Sequence, residues 1–341
     1  MIRLKFQKLL AAAISLTAVT ATTAATADEV NVYSYRQPFL VEPLFKRFEA
    51  ETGTKVNVLF AKKGLVERLK AEAGNSPADL IFTVDIGRLN DVKEAGVTQP
   101  VSSDVLTKTI PPRYRDPAGN WFALTTRARV IYAAKGRVEG WKTLTYEDLA
   151  DPKYKDRVCT RSGKHAYTIA LVASMISHHG RKDAKTWLTG VKNNLARRPQ
   201  GNDRAQVKAI KDGLCDVALG NNYYFGKMMS DPKQRPWAEA VHVAFPNQQN
   251  RGAHVNISGM AMAKHAPNPS AAKKLMEWLV DAEAQSIYAE QNYEYPIREG
   301  VKWAPLLADL GTFKSDALPI STIAELRKDA VKLVDEVGFD G

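Results

Sequence analysis

Residues 29–60 read EVNVYSYRQPFLVEPLFKRFEAETGTKVNVLF, and this stretch decides the fold class. Its first six and last six residues alternate between apolar and polar side chains, which predicts two strands. The residues between them are apolar at helical spacing and end at Gly53, which predicts a helix and its stop. The pattern continues with a helix, a strand and a helix at 65–73, 78–83 and 86–94. This alternating order predicts an α/β fold with a parallel sheet and right-handed crossovers.

A second α/β run follows, with strands predicted over 157–161 and 215–219 and helices at 168–178, 184–194, 205–212 and 271–292. Between the two runs, residues 124–134 (LTTRARVIYAA) are β-rich and long enough to cross between two lobes. A second crossing is predicted at 241–257. Two lobes joined by more than one strand predict a hinged protein that closes on a ligand. We place residues 28–125 plus 258–298 in an N-terminal lobe, and 126–257 plus 299–341 in a C-terminal lobe.

The N-terminus has the pattern of a secretory signal peptide. Residues 1–8 are basic, residues 9–19 are apolar, and Ala25-Thr26-Ala27 is a small-residue cleavage site. A membrane anchor is the alternative, but the apolar core is short and is diluted by threonine. We therefore predict cleavage after Ala27 and a location in the periplasm.

Composition excludes several other classes. The chain has 341 residues, of which 45% are hydrophobic and 25% are charged, so it is neither disordered nor fibrous. The mean hydropathy of −0.31 excludes a multispanning membrane protein. The net charge of +11 is scattered rather than clustered, so we predict anionic ligands and no nucleic-acid partner. Cys159 and Cys215 are too few for a disulfide scaffold, but in an oxidising compartment they can form one disulfide.

Tyrosines recur where predicted strands end, which is where open α/β sheets bind ligands. Tyr167 follows Cys159 by eight positions, and Tyr223 follows Cys215 by eight, with Tyr224 next to it. If the two strands are neighbours, this equal spacing places both tyrosine loops on one rim and brings the cysteines together. The alternative is that these tyrosines pack in the core or stack on a sugar.

Phenolate chemistry makes a trivalent metal the most specific hypothesis. Metal ligands bind deprotonated, and three phenolates would cancel the charge of Fe(III). Hard oxygen donors select against Zn(II) and Cu(I). An octahedral ion would need up to three further donors, two of which a small oxyanion held by an arginine could supply.

The chain resembles the periplasmic ferric-iron-binding proteins of ABC uptake systems, the ferric-binding-protein and FutA-like group, over essentially its whole mature length. The resemblance rests on residues 32–53 (VYSYRQPFLVEPLFKRFEAETG), 76–85 (SPADLIFTVD), 124–136 (LTTRARVIYAAKG), 159–176 (CTRSGKHAYTIALVASMI), 220–228 (GNNYYFGKM) and 292–296 (NYEYP). It implies a two-lobed, type II-like periplasmic binding protein with a hinge and an interlobe cleft. It also implies capture of Fe(III), delivery to an inner-membrane ABC permease, no enzymatic activity, no membrane-embedded segment and a monomer.

Carried over residue by residue, the resemblance makes Tyr167, Tyr223 and Tyr224 the iron ligands. Many FutA-like members supply a His-Tyr pair after the first-loop arginine, whereas here Gln37 and Pro38 follow Arg36. This departure favours a coordination sphere completed by water or by a synergistic anion, namely carbonate or bicarbonate. The expected anion or outer contacts are Arg36 and Gln37, then Arg127 and Arg129, and Tyr35 is a further candidate ligand.

Two alternatives stay open at this point. One is a hinged protein for thiamine, a phosphonate or a polyamine, in which tyrosine and tryptophan stack on the ligand. The other is a secreted hydrolase, for which the best available nucleophile and base are Ser162 and His165, and these form no recognised triad.

Overall fold

The computed structural model describes residues 28–341, so the predicted signal peptide lies outside the described residues. The ten strands within this part of the chain are β1 (Glu29–Ser34), β2 (Lys55–Phe60), β3 (Leu80–Thr83), β4 (Thr98–Gln99), β5 (Phe122–Ala134), β6 (Val158–Cys159), β7 (Val217–Asn221), β8 (Val241–Ala244), β9 (Val255–Ala263) and β10 (Tyr295–Pro296). The α-helices within the described residues are α1 (Glu42–Thr52), α2 (Leu65–Glu72), α3 (Ile86–Glu94), α4 (Asp104–Thr109), α5 (Ala166–Asn193), α6 (Asp203–Lys211), α7 (Tyr223–Met229), α8 (Arg235–Glu239), α9 (Pro269–Trp278), α10 (Ala282–Asn292), α11 (Pro305–Ala308), α12 (Ile320–Glu325) and α13 (Arg327–Val337).

The α/β prediction is confirmed, and the sheet is mixed rather than parallel. The strand order is β2-β1-β3-β9-β5-β7-β6, with β10 and β8 added to β5 and β4 added to β9. β1 runs parallel to both β2 and β3, and β6 runs parallel to β7, as the βαβ pattern predicts. β5 and β9, however, pair antiparallel with all their neighbours. The predicted parallel pairing is therefore confirmed within the βαβ units. It does not extend to β5 and β9, because these two strands connect the two groups instead of following a crossover helix.

β5 joins the two groups of strands and is buried along its whole length. Up to Ala128 it pairs with β9, and from Arg129 onward it pairs with β7, while β8 also lies beside its last residues. We call β1–β4 and β9 the N-terminal strand group, and β6–β8 the C-terminal strand group. The predicted crossing at 124–134 is confirmed by this strand. The lobe boundaries that we predict from the sequence stay a prediction.

The second predicted crossing is displaced. Residues 241–257 contain β8, which pairs with the end of β5, and only the first three residues of β9. The crossing strand is therefore β9, which continues to Ala263. Its later residues are as apolar as its first ones, so periodicity could not show where the strand ends.

A disulfide in the C-terminal strand group links the end of β6 to the residues just before β7. Cys159 at the end of β6 and Cys215 just before β7 form a disulfide, with a Cα–Cα distance of 5.9 Å. The predicted disulfide is thus confirmed. α5 begins shortly after β6 and contains both helices predicted over 168–194, which are separated at Gly180, where φ is 75° and ψ is 162°. No helix within residues 28–341 has the length and apolar character needed to cross a membrane.

Candidate metal centre

Three tyrosine side chains meet at one edge of the sheet. Tyr167 is the second residue of α5, and Tyr223 and Tyr224 are the first two residues of α7. Because β6 and β7 are parallel neighbours, the segments after their carboxyl ends come together. The hydroxyl oxygens of Tyr167 and Tyr223 are 3.3 Å apart, and the ring centroids of Tyr223 and Tyr224 are 4.2 Å apart.

A side-chain cap holds the start of α5, and hydrogen bonds to β5 hold the start of α7. The Nδ1 atom of His165 accepts a hydrogen bond from the backbone N–H of Tyr167 at 3.2 Å, and its ring packs edge-on against the tyrosine ring. Asn222, which is fully buried, precedes Tyr223 and is bonded to Ala128 of β5 twice. Its backbone N–H donates to the carbonyl oxygen of Ala128 at 3.1 Å, and its side-chain oxygen accepts the N–H of Ala128 at 2.9 Å. The crossing strand therefore places Tyr223 and Tyr224, whereas the His165 cap places Tyr167.

The tyrosine hydroxyls face a cavity of about 250 Å³ between the two strand groups. The C-terminal strand group and its helices contribute the three tyrosines and two cations. The opposite wall comes from residues 35–40 after β1, with Val84 after β3. The lining residues that matter below are Tyr35, Arg36, Gln37, Phe39, Arg127, Arg204, Lys227 and Glu294.

Burial makes two of the tyrosines harder to deprotonate than a free phenol. It raises the pKa of Tyr223 well above 10, and the neighbouring Tyr167 and Tyr224 raise it further. Burial, with Tyr167 and Asp203 adding to it, raises the pKa of Tyr224 to about 12. A cation that displaces these protons would therefore have to be a strong Lewis acid, because bound phenolates need compensation by positive charge.

Arg127 is the buried cation of the cavity that lacks a partner. Its side chain is 1% exposed, and none of its three guanidinium nitrogens has a hydrogen-bond partner among residues 28–341. Its guanidinium carbon lies 5.5 Å from the ring centroid of Tyr167. A buried guanidinium without acceptors is costly, so this position favours binding of an anion.

The other arginines proposed from the sequence are already paired. Both terminal nitrogens of Arg36 donate to Oε1 of Glu294 at 3.3 Å, so Arg36 lines the cavity as part of a neutral pair. Arg129 donates to Asp203 at 2.7 Å and to Asn221 at 3.1 Å, and it does not line the cavity.

Two further cations stand at the cavity wall. The guanidinium carbon of Arg204 lies 6.0 Å from the ring centroid of Tyr224, and the Nζ atom of Lys227 lies 5.5 Å from that of Phe39. Within residues 28–341 neither side chain makes an ion pair; Arg204 has only Gln234, at 3.4 Å. Burial, together with the charges of Arg36 and Arg204, lowers the pKa of Lys227. The cavity is thus rich in uncompensated positive charge.

Comparison with known proteins identifies the family. Residues 75–309 match the model of the family described as bacterial extracellular solute-binding protein. The chain belongs to this family.

Relatives of this solute-binding protein carry names that refer to iron. It is 44% identical to iron uptake protein A1 of Synechocystis sp., over 92% of this chain and 88% of the relative. The apo ferric ion-binding protein A of Pasteurella haemolytica is 52% identical, with a TM-score of 0.88 over 92% of this chain and 99% of that one. The Trichodesmium protein IdiA (FutA), whose structure is a complex with iron and citrate ligands, is 44% identical, with a TM-score of 0.87 over 91% of this chain and 99% of that one. The two-lobed solute-binding fold that we predict is therefore confirmed.

The cavity of this solute-binding protein contains most of the predicted site residues. It brings together Tyr167, Tyr223 and Tyr224 with Arg36, Gln37 and Arg127, and it leaves Arg129 outside. Tyr35 lies at the wall, where its hydroxyl accepts a hydrogen bond from the backbone N–H of Leu65 at 3.1 Å.

Sequence reasoning missed Glu294, Arg204 and Lys227. Lys227 had a usable signal, because positions three and four residues after Tyr224 and Tyr223 share one helix face. Glu294 lies within residues 292–296, a segment in which the sequence resembles the family. Nothing in that segment indicates that Glu294 pairs with Arg36. Arg204 comes from the start of α6, and nothing in its local sequence points to the cavity. Across residues 28–341, no group of three or more His, Cys, Asp or Glu side chains is placed to hold a metal.

Proposed function

We propose that this solute-binding protein captures Fe(III) in the periplasm and delivers it to an ABC permease in the inner membrane. The observation that carries the proposal is the convergence of three tyrosine side chains on one cavity, with the hydroxyls of Tyr167 and Tyr223 3.3 Å apart. The names of the relatives, which refer to ferric ion and iron uptake, support the same conclusion. The protein acts as a carrier and a monomer, not as an enzyme.

The chemistry of the donor set selects the ion. Three phenolate oxygens are hard donors that carry three negative charges, so a trivalent ion leaves the buried cluster neutral. Zn(II) and Cu(I) prefer imidazole or thiolate ligands, and the tyrosines offer neither. The cationic cavity also disfavours two of the alternative ligands, thiamine and a polyamine, because both are positively charged.

We assign completion of the coordination sphere to a small anion held by Arg127. This guanidinium is buried, faces the cavity and has no other acceptor among the described residues. Its planar fork suits an oxyanion such as carbonate or bicarbonate, which can contact iron and arginine at the same time. Arg36, which Glu294 neutralises, and Gln37 line the opposite wall and act as outer contacts.

Iron loading tests the proposal directly. We expect the purified protein to become coloured on addition of ferric iron and bicarbonate, because phenolate-to-iron charge transfer absorbs visible light. Tyr223→Phe should lose most of this absorption and bind iron at least about tenfold more weakly, while Tyr154→Phe, which lies outside the cavity, should behave like the wild type. A colourless wild-type protein, or unchanged iron binding by Tyr223→Phe, would refute the assignment.

A further inference from the structure

Tyr167 and Tyr223 reach the cavity on two separate segments of the chain. β6 is two residues long and ends at Cys159, eight positions before Tyr167. β7, in contrast, ends only two positions before Tyr223. The pairing of β6 with β7 therefore does not by itself fix the distance between the two tyrosines. The cap formed by His165 does not fix it either, because that contact lies within the segment of Tyr167.

The carboxylate of Asp203 connects the two segments. Asp203 is the first residue of α6, and it is 0% exposed. Its Oδ2 atom accepts a hydrogen bond at 3.0 Å from the backbone N–H of Asn221, two residues before Tyr223. Its Oδ1 atom accepts a hydrogen bond at 3.1 Å from the guanidinium of Arg161, in the loop that leads to Tyr167. One buried side chain thus joins both segments that carry tyrosines.

Asp203 also joins these segments to β5. Its Oδ2 atom accepts a hydrogen bond from the guanidinium of Arg129 at 2.7 Å. The guanidinium carbons of Arg129 and Arg161 lie 6.0 and 5.2 Å from the ring centroid of Tyr167. Within residues 28–341, Asp203 is the carboxylate partner of both arginines. Asp203 therefore also holds in place two cations that lie against the Tyr167 ring.

A second carboxylate holds the loop before Tyr167 at another place. Asp340, near the C-terminus, accepts hydrogen bonds from the hydroxyl of Ser162 and the backbone N–H of Gly163, both at 2.6 Å. These contacts fix the loop against the C-terminal end of the chain. Asp203 instead fixes it against the end of β7, so the separation of the tyrosines depends on Asp203.

We propose that Asp203 is a positioning residue of the iron site, which sets the distance of Tyr167 from Tyr223 and Tyr224. This inference rests on the proposed function, since it assumes iron at the tyrosines. Asp203 does not line the cavity, so it acts through the two segments and not as a ligand. Metal–ligand distances tolerate deviations of only about 0.2 Å, so a small shift of one segment against the other weakens the site.

Charge and position predict opposite effects when this carboxylate is removed. By charge alone, the loss of a negative group beside three phenolates would favour these anionic ligands and strengthen iron binding. By position, the loss of the carboxylate releases Arg161 and the end of β7 from each other and weakens iron binding. The sign of the change in iron affinity therefore distinguishes the two.

The test changes the charge and the position of the carboxylate separately. Asp203→Asn removes the charge, whereas Asp203→Glu keeps it and places it one bond further from the backbone. Asp203→Glu still offers both arginines a carboxylate, so it provides the test if Asp203→Asn does not fold. Asp79 is the matched control, because it is also 0% exposed and accepts the backbone N–H groups of Asn31 and Asn268 at 2.8 and 2.6 Å. It precedes β3, at the end of that strand away from the cavity.

Each protein is titrated with ferric iron and bicarbonate. The position of the visible band and the electron paramagnetic resonance line shape of the bound iron report the geometry of its ligands, and thermal unfolding of the apo protein measures stability. We expect both Asp203 variants to lower the iron affinity about 10- to 100-fold, the range for residues that orient metal ligands, and to change both spectra. Asp79→Asn and Asp79→Glu should lower the melting temperature and leave the iron affinity and the spectra unchanged.

Three results would overturn the inference. One is that Asp203→Glu, or a folded Asp203→Asn, keeps the wild-type iron affinity and spectra. The second is that the Asp79 variants change the affinity and the spectra to the same extent. The third is stronger iron binding by Asp203→Asn, which would assign the effect of Asp203 to its charge. Absence of the visible band in the wild type would instead overturn the proposed function itself.

Discussion

Gly226 of α7 packs closely against Tyr293 beside the site. A Cβ atom added there would lie 2.3 Å from Cγ and 2.6 Å from Cδ1 of Tyr293, the residue directly after α10. Tyr293 is held in a left-handed conformation with φ of 56°, and its backbone N–H donates to Ala289 at 2.8 Å. We therefore expect the methyl group added in Gly226→Ala to displace α7, because rotation of the Tyr293 ring does not remove the clash.

The size of the displacement follows from these contacts. Two carbon atoms pack at about 3.5–4.0 Å, so the separation must grow by more than about 1 Å. Overpacking of this kind costs about 1–3 kcal/mol of folding stability. α7 begins with Tyr223 and Tyr224, and metal–ligand distances tolerate deviations of only about 0.2 Å. The iron affinity should therefore fall at least about tenfold, beyond what the loss of stability explains.

Two measurements separate these effects. Thermal unfolding of the apo protein gives the stability, and ferric titration followed at the visible band gives the affinity. Gly74→Ala is the matched control, since a Cβ there meets nothing within 4 Å and φ is not positive. If Gly226→Ala and Gly74→Ala have the same melting temperature and the same iron affinity, the packing argument is wrong.

Three other predictions concern protons and the covalent link. Iron loading should release at least two protons per metal, because burial raises the pKa of Tyr223 and Tyr224 and both must deprotonate to bind. Titration in unbuffered solution measures the number of protons released, and a number below two would contradict the prediction. Reduction of the Cys159–Cys215 disulfide should lower the free energy of unfolding by about 4 kcal/mol on the chain-entropy account, as urea unfolding with and without dithiothreitol would show; equal stabilities would contradict this. Burial lowers the pKa of His254 to about 3, so the folded state keeps this imidazole neutral while the unfolded chain protonates it below about pH 6.5. The contribution of neutral His254 to the free energy of unfolding is complete above that pH and is lost as the pH falls towards 3. His254→Gln should therefore flatten the pH dependence of the free energy of unfolding in urea between these pH values. An unchanged pH dependence would contradict this role of His254.

The strands and helices were predictable where a periodic pattern met a local stop. Residues 29–34 and 55–60 form strands with the predicted bounds, since each alternates and is followed by turn residues. The antiparallel course of β5 and β9 was not predictable, because a fully buried strand reads the same in either direction. Only pairing partners far away in the sequence determine that course.

Some features of the site could likewise be predicted from the sequence, and others could not. The tyrosines follow strand ends, so their meeting could be inferred from spacing on the condition that β6 and β7 are neighbours, which the structure shows. The pairing of Arg36 with Glu294 joins residues 258 positions apart, and nothing near Arg36 shows that its charge is already balanced. Arg127 and Arg129 are two positions apart on β5 and look equivalent in the sequence. They differ because the partners of β5 change between Ala128 and Arg129, so that Arg129 meets Asp203 while Arg127 faces the cavity.

All three candidate phenolates are carried by segments that follow β6 and β7, on one side of β5. Moving the loop after β1 away would consequently break no bond between iron and a tyrosine. In the proposed function, a transporter that separates the two sides would still meet an ion bound by all three tyrosines. We then expect iron release to require protonation of the phenolates or departure of the anion, because separation of the two sides alone leaves these bonds intact.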